Sequence, residues 1–212
     1  NGFSGGQLNV TIDGMKMFGA CTDKMDPVTS YLEPANLKSI TLEHGTNVGL
    51  HENNIGGSID LALQEPFNRG IRPFASSVSF GYEDVSNSRN ILISTGYQKN
   101  RWAWGMNGVY RKNDLYRDGH GNKINHSQFE KYNIHSVMKF SADSVNSFRA
   151  DVLWDKAVNV GYPALPMDVS KARAALLAFE YQRNSITYDL KAKVYYNSVY
   201  HVMDDSHRDS LY

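Results

Sequence analysis

Two short motifs near opposite ends of the chain carry side chains able to hold a soft metal. The first is Cys21-Thr-Asp-Lys-Met25, which contains the only cysteine, and the second is His201-Val-Met203. A thiolate, two thioethers and an imidazole suit copper, Cu(I) ahead of Cu(II), because sulfur donors match a soft, polarizable cation. Cys21 and Met25 can converge across a tight turn, and residues two apart on a strand share a face. Each motif also has a plainer reading. A free cysteine is most often a small buried hydrophobe, and a His-x-Met triplet has a high chance rate. The polar run CTDKMDP, with Gly19 before it and Pro27 closing it, favours a loop tip over a core.

Other chemistries find little support. No Walker loop, HExxH helix or Ser-His-Asp order is present, so the chain reads as a non-enzyme. Asp13, Asp23 and Asp26 are explained by turn chemistry. A blue-copper carrier would need two histidines with its cysteine. Lys+Arg and Asp+Glu balance at 22 each, which argues against a nucleic-acid partner. A lone cysteine makes no intramolecular disulfide. No run of 18 apolar residues provides a membrane-spanning helix, but strands of a membrane barrel leave only a weak hydropathy signal. The chain opens on Asn1 with no signal peptide and is expected to be part of a longer one.

The elements that must position the two motifs differ along the chain. Residues 1–70 are rich in Gly and Asn, with short apolar runs at Leu8–Ile12, Ser39–Leu42 and Ser58–Leu63. They predict a small mixed α/β unit with many turns. Gln64–Pro73 reads as the linker, and residues 71–212 as the second domain. Over 76–200 the residues alternate with period two, the signature of strands. Val78, Phe80 and Tyr82 oppose Ser77, Ser79 and Gly81, and the same holds for Ile91, Ile93 and Tyr97. Further strands are expected around Trp102–Tyr110, Tyr132–Phe140 and Phe148–Trp154, then Lys171–Arg183 and Ile186–Tyr196. Trp102, Trp104, Phe148 and Trp154 are expected to face lipid.

A soluble sandwich would alternate as well. Strands of about ten residues, aromatics near strand ends, and alternately tight and long connections favour a membrane barrel. The tight turns are Gln98–Arg101, Ala142–Asn146 and Arg183–Ser185; the long loops are Asp114–Phe129 and Lys156–Ser170. Tight turns would face the periplasm, so His201 lies near the outer end of the last strand. His201 and Met203 would then share the polar, lumen-side face with Asp189, Lys191 and Lys193. Seven strands do not close a plugged barrel, which needs roughly 22, so the fold class is part of a plugged antiparallel transmembrane β-barrel.

The sequence resembles the TonB-dependent outer-membrane receptors. Val10-Thr-Ile-Asp-Gly14 is similar to a plug segment, and Leu37–Leu63 to the family's closing plug motif, with Lys38 in place of the usual acidic residue and His44 at a commonly basic position. Within the family the closest likeness is to copper receptors, which pair a plug CxxxM with a barrel HxM. Here these are GACTDKMDP at 19–27 and YHVMDD at 200–205, and YPALPMD at 162–168 resembles a loop of that subgroup. The resemblance implies a late plug plus about seven barrel strands, in the outer membrane of a Gram-negative bacterium and in contact with its lipid. It also implies copper import through Cys21, Met25, His201 and Met203, energised through TonB in the full-length protein. A receptor of the same fold for a metallophore, or a structural or adhesive barrel module, are the alternatives. Met167 is a candidate secondary contact, and His44, His51, His120, His126, His135 and His207 read as surface histidines.

Overall fold

A computed structural model describes residues 8–21, 26–45, 56–65, 73–206 and 208. Met25, His51 and His207 lie outside the described residues. The chain divides into two compact units, Asn1–Glu65 and Pro66–Tyr212.

In the first unit Asn9–Ile12 (β1) and Met15–Lys16 (β2) form a hairpin, with both residues of the Asp13-Gly14 turn at positive φ. This is the backbone that a two-residue hairpin with a right-handed twist requires. Leu37–His44 (β3) and Gly57–Leu63 (β4) complete a four-stranded sheet of order β2-β1-β4-β3. β1 runs parallel to β4, and β3 antiparallel to it. Ile12, Met15, Met17, Tyr31, Leu32, Leu61 and Leu63 are its buried apolar side chains. The expectation of a mixed α/β unit is corrected here. Between the hairpin and β3 the described residues hold two 3-10 turns, Val28–Tyr31 and Pro34–Asn36, and no α-helix. Pro27 and Pro34, seven apart, leave no room for one.

The second unit is a seven-stranded antiparallel meander, ordered β5 to β11 along the chain. Its strands are Phe74–Glu83 (β5), Ser88–Lys99 (β6), Trp102–Asn113 (β7), Phe129–Ser141 (β8), Asn146–Val160 (β9), Asp168–Asn184 (β10) and Asp189–Asp204 (β11). One face is apolar. Val78 and Phe80 on β5, Val152 on β9, Leu177 and Phe179 on β10, and Val194 and Tyr196 on β11 lie exposed on it. All four expected aromatics, Trp102, Trp104, Phe148 and Trp154, are on this face. Near the tight turns Trp102, Phe140 and Phe148 form a row, with ring centroids 4.5 and 6.4 Å apart. The opposite face buries polar groups in pairs. Asp155 accepts from Asn133 at 2.6 Å and meets Lys131 at 3.3 Å. Asp151 meets Arg149 at 2.6 Å and His135 at 3.2 Å. Buried charges persist where each is paired.

Strand ends differ from the sequence expectation in two places. β9 continues to Val160 and β10 begins at Asp168, so the loop is only 161–167 rather than Lys156–Ser170. Ala157 and Ala172 pair directly in register, and alanines carry no alternation signal. β11 begins at Asp189, leaving Ile186 in the turn. His135 is also corrected: it is 1% exposed and bound to Asp151, not a surface histidine.

The tight turn 142–145 is held by Asp143, which accepts from Asn146 Nδ2 at 2.8 Å and from the backbone N–H groups of Val145 and Asn146, each at 2.7 Å. These donors, the Asn146 side chain first, hold the Asp143 carboxyl below the usual carboxylate range. A carboxyl lowered in the folded state stabilises it above the unfolded pKa of about 3.9, and that contribution is lost as pH falls through the lowered value. NMR titration of Asp143 is expected to give a midpoint below that of an unstructured aspartate; an ordinary midpoint would contradict the turn geometry.

Candidate metal site

Cys21 lies in an irregular segment and is partly buried. What holds it is the carboxylate of Asp26, itself only 5% exposed. Asp26 Oδ1 accepts the Cys21 backbone N–H at 3.0 Å, and Oδ2 accepts the Ala20 N–H at 2.7 Å and the hydroxyl of Tyr31. One side chain thus ties Ala20 and Cys21 to Asp26. Gly19 is required for this close approach. A Cβ there would lie 2.6 Å from the Asp26 carbonyl oxygen and 2.7 Å from its Oδ1, closer than non-bonded atoms approach. A cavity of about 490 Å³ adjoins Cys21 and is also lined by Leu8, Val10, Met17, Phe18 and Pro27. Met25, the expected second donor of this motif, lies outside the described residues.

His201 and Met203 lie near the end of β11, both partly buried. His201 pairs with Ala172 and Met203 with Val169 on β10. Regular alternation from Ala172, Ala174 and Leu176, which are buried, would put Val169 on the opposite face. A register shift between Val169 and Lys171 reverses this, and Val169 is 2% exposed. The bulge at Ser170 therefore keeps the neighbours of both His201 and Met203 on the buried, polar face. Ala172 and Ala157 stand beside His201 in register and leave space above the backbone. Two residues span about 6.6 Å along a strand, so an imidazole and a thioether on one face can turn toward a common ion at bond lengths near 2.0–2.3 Å.

The loop before β10 is tied to the chain after β11. Arg208 donates to the carbonyl oxygens of Tyr162, Leu165 and Met167 and to Asp168 Oδ1, the last at 2.5 Å. Asp168 Oδ2 also meets His126 Nδ1 at 2.7 Å. Met167 is 40% exposed, in keeping with a solvent-facing methionine. Among the described residues no group of three His, Cys, Asp or Glu side chains is arranged to hold an ion. Cys21 and His201 belong to different compact units. Sequence reasoning missed Asp26 as the residue that positions Cys21. Its signal was Gly19 and Asp26 bracketing the CxxxM motif.

No protein-family model matches the chain, and no curated protein matches it. Solved structures do. The copper transporter OprC matches over 95% of this chain and 32% of its own, at 23% identity and a TM-score of 0.85. The hemophore receptor HasR of Serratia marcescens, solved as a double mutant with its hemophore HasA and heme, matches over 94% of this chain and 31% of its own, at 16% identity and 0.77. The FrpB iron transporter of Neisseria meningitidis matches over 89% of this chain and 31% of its own, at 10% identity and 0.70. The chain has the fold of these proteins. It is mostly β and spans about a third of their length. These neighbours are transporters and a receptor, not enzymes.

Proposed function

We propose that the chain is part of an outer-membrane, TonB-dependent receptor that binds copper as its cargo through Cys21, Met25, His201 and Met203. The observation that carries the reading is the pairing of the two motifs on a fold like that of a copper transporter. The pinned Cys21 loop and the Ser170 bulge support it, since each holds a donor in place. Cys21 binds as thiolate, because coordination to a metal deprotonates a thiol. Met25, Met203 and neutral His201 complete a soft four-donor set. The reading requires the plug motif and the strand motif to converge on one ion. Displacing the plug then splits the set and releases the ion inward, with TonB as the source of work in the longer protein. The test is copper per protein for the full-length receptor and for His201→Ala. Undiminished copper in that variant and in the Cys21 variant treated below would overturn the reading.

A receptor of this fold for a bulkier chelate is the second reading. It is favoured by the iron transporter and hemophore receptor among the matched structures, and stoichiometric binding of bare copper would exclude it.

The apolar face of β5–β11 is taken as the lipid-facing wall. Leu177, 47% exposed near the middle of that face, tests this. Leu177→Arg is expected to destabilise the receptor in phospholipid vesicles by about 2–4 kcal/mol, the cost of an arginine at mid-membrane. Urea unfolding that shows no cost would place the face in water.

A further inference from the structure

Two adjacent rows of side chains cross the apolar face of the second unit at its long-loop end. The pairing register places Tyr82, Arg89, Lys112, Glu130, Val158, Lys171 and Val202 in one row. The next row toward the tight turns contains Tyr110, Tyr132, Lys156, Arg173 and Tyr200. Five cations and one carboxylate therefore share a narrow belt. Among the described residues only Lys112 of the five pairs with a carboxylate, Glu130, at 3.7 Å. Lys156 sits over the Tyr132 ring at 5.7 Å and Arg173 over the Tyr200 ring at 5.2 Å. Stacking of this kind fixes a cation while leaving its N–H groups free to donate. Asp204, beyond Val202 on β11, accepts hydrogen bonds from Ser206.

The belt borders an uncharged band of constant height. On β6 the interval from Arg89 to Lys99, and on β10 that from Arg173 to Arg183, is ten residues with no charged side chain on this face. Ten residues rise about 33 Å along a strand, and a tilt of about 40° reduces this to about 25 Å, the height of the apolar band of an outer-membrane barrel. The cations thus fall at headgroup level. They are also unequally shared. Of the basic side chains on this face of β5–β11, five lie at the long-loop end, and only Lys99 and Arg183 at the tight-turn end. Solvation of long side chains at a membrane surface would serve both ends alike.

We infer that this belt is a docking surface for a phosphate-bearing lipid of the outer leaflet, its cations donating to the phosphomonoesters of a lipid A headgroup. Long loops mark the outer side of such barrels, and the outer leaflet of a Gram-negative outer membrane is built on phosphorylated lipid A. Arginine and lysine meet phosphate through charge-assisted hydrogen bonds, and the apolar band below accommodates the acyl chains. The inference rests on the outer-membrane placement proposed above and is independent of the metal.

The test is native mass spectrometry of the full-length receptor, purified in mild detergent and titrated with bis-phosphorylated lipid A, with dephosphorylated lipid A, and with lipid A in the presence of inorganic phosphate. The receptor is expected to take up the phosphorylated lipid, with at least about tenfold weaker uptake of the dephosphorylated form, given roughly fivefold per basic residue at an anionic lipid surface. Millimolar inorganic phosphate is expected to leave lipid uptake within about twofold; full displacement would mean a phosphate-ion site and overturn the lipid assignment. A Lys156→Gln, Lys171→Gln, Arg173→Gln variant is expected to lose at least tenfold, while Lys99→Gln with Arg183→Gln stays within about twofold. Heat-modified gel mobility reports folding. If the triple variant does not fold, the single Lys156→Gln and Lys171→Gln variants are each expected to lose about fivefold. Equal uptake of both lipid forms, or equal losses at the two ends, would overturn the inference. A receptor that inserts into phosphatidylcholine vesicles but does not discriminate lipid A forms sinks this inference alone. One that does not insert sinks the membrane placement with it.

Discussion

Cys21→Ala is expected to abolish stoichiometric copper binding by the full-length receptor. Cys21 is the only cysteine and the only anionic donor of the proposed set. Met25, Met203 and a neutral His201 contribute lone pairs without charge, so removing the thiolate leaves the cation's charge uncompensated in a partly buried site. The loss is expected to exceed the 10–100-fold that changes to outer-shell partners cost. His201→Ala is expected to cost less, and Met203→Ala least, because a neutral thioether is the weakest donor. The substitution tests ligation and not folding. The hydrogen bond to Asp26 is made by the backbone N–H of residue 21, which alanine retains. Copper per protein by elemental analysis and affinity by competition with a chelator give the readout. An alanine variant that loads copper as the wild type does would mean the two motifs coincide by chance.

Asp26→Ala is expected to be the most damaging single change to the loop that carries Cys21. The carboxylate is buried and accepts from Ala20 N–H, Cys21 N–H and the Tyr31 hydroxyl. Hydrogen bonds to a charged group are worth about 1.5–3 kcal/mol each, and donors left buried without an acceptor cost about 1–3 kcal/mol. Removing a buried charge recovers some desolvation energy. The net expectation is about 2–4 kcal/mol of lost stability for the first unit. Copper affinity should fall as well, by about 10–100-fold, because Cys21 loses what orients it although every ligand remains. Asp26→Asn keeps an acceptor oxygen and is expected to fall between. Limited proteolysis between Gly19 and Ser30, with chelator competition, separates the two effects. A variant with native loop protection and native affinity would remove Asp26 from the site's support.

Much of the second unit was legible in the sequence. Val78, Phe80 and Tyr82 on β5, and Phe148, Val152 and Trp154 on β9, lie on the apolar face that their alternation predicts. A strand's side-chain period is two residues whatever its neighbours are. Asp13 reads as a turn residue from its chemistry, and the structure places it with Gly14 at the positive φ of a two-residue hairpin. Misreadings fall where the local signal is silent. Ala157 fits either face, so no alternation marks the last residues of β9. His135 sits on a polar face that the pattern could mark only as polar. That it is buried against Asp151 depends on β9 lying beside it.

By itself, then, the sequence determined which residues alternate, which turns reverse the chain and which side chains can ligate a soft ion. These properties are written within a few consecutive residues, where backbone sterics and side-chain chemistry act. Tertiary structure decided what no local pattern encodes. The Ser170 bulge, which returns Val169 to the buried face beside Met203, exists only in the pairing of β10 with β11. Arg208 reaches Asp168 across 40 residues of sequence. The basic belt of Arg89, Lys112, Lys156, Lys171 and Arg173 comes from four strands, β6, β7, β9 and β10. It becomes one surface because interstrand hydrogen bonds fix the register, and a shift of one residue in any strand would turn its cation to the opposite face.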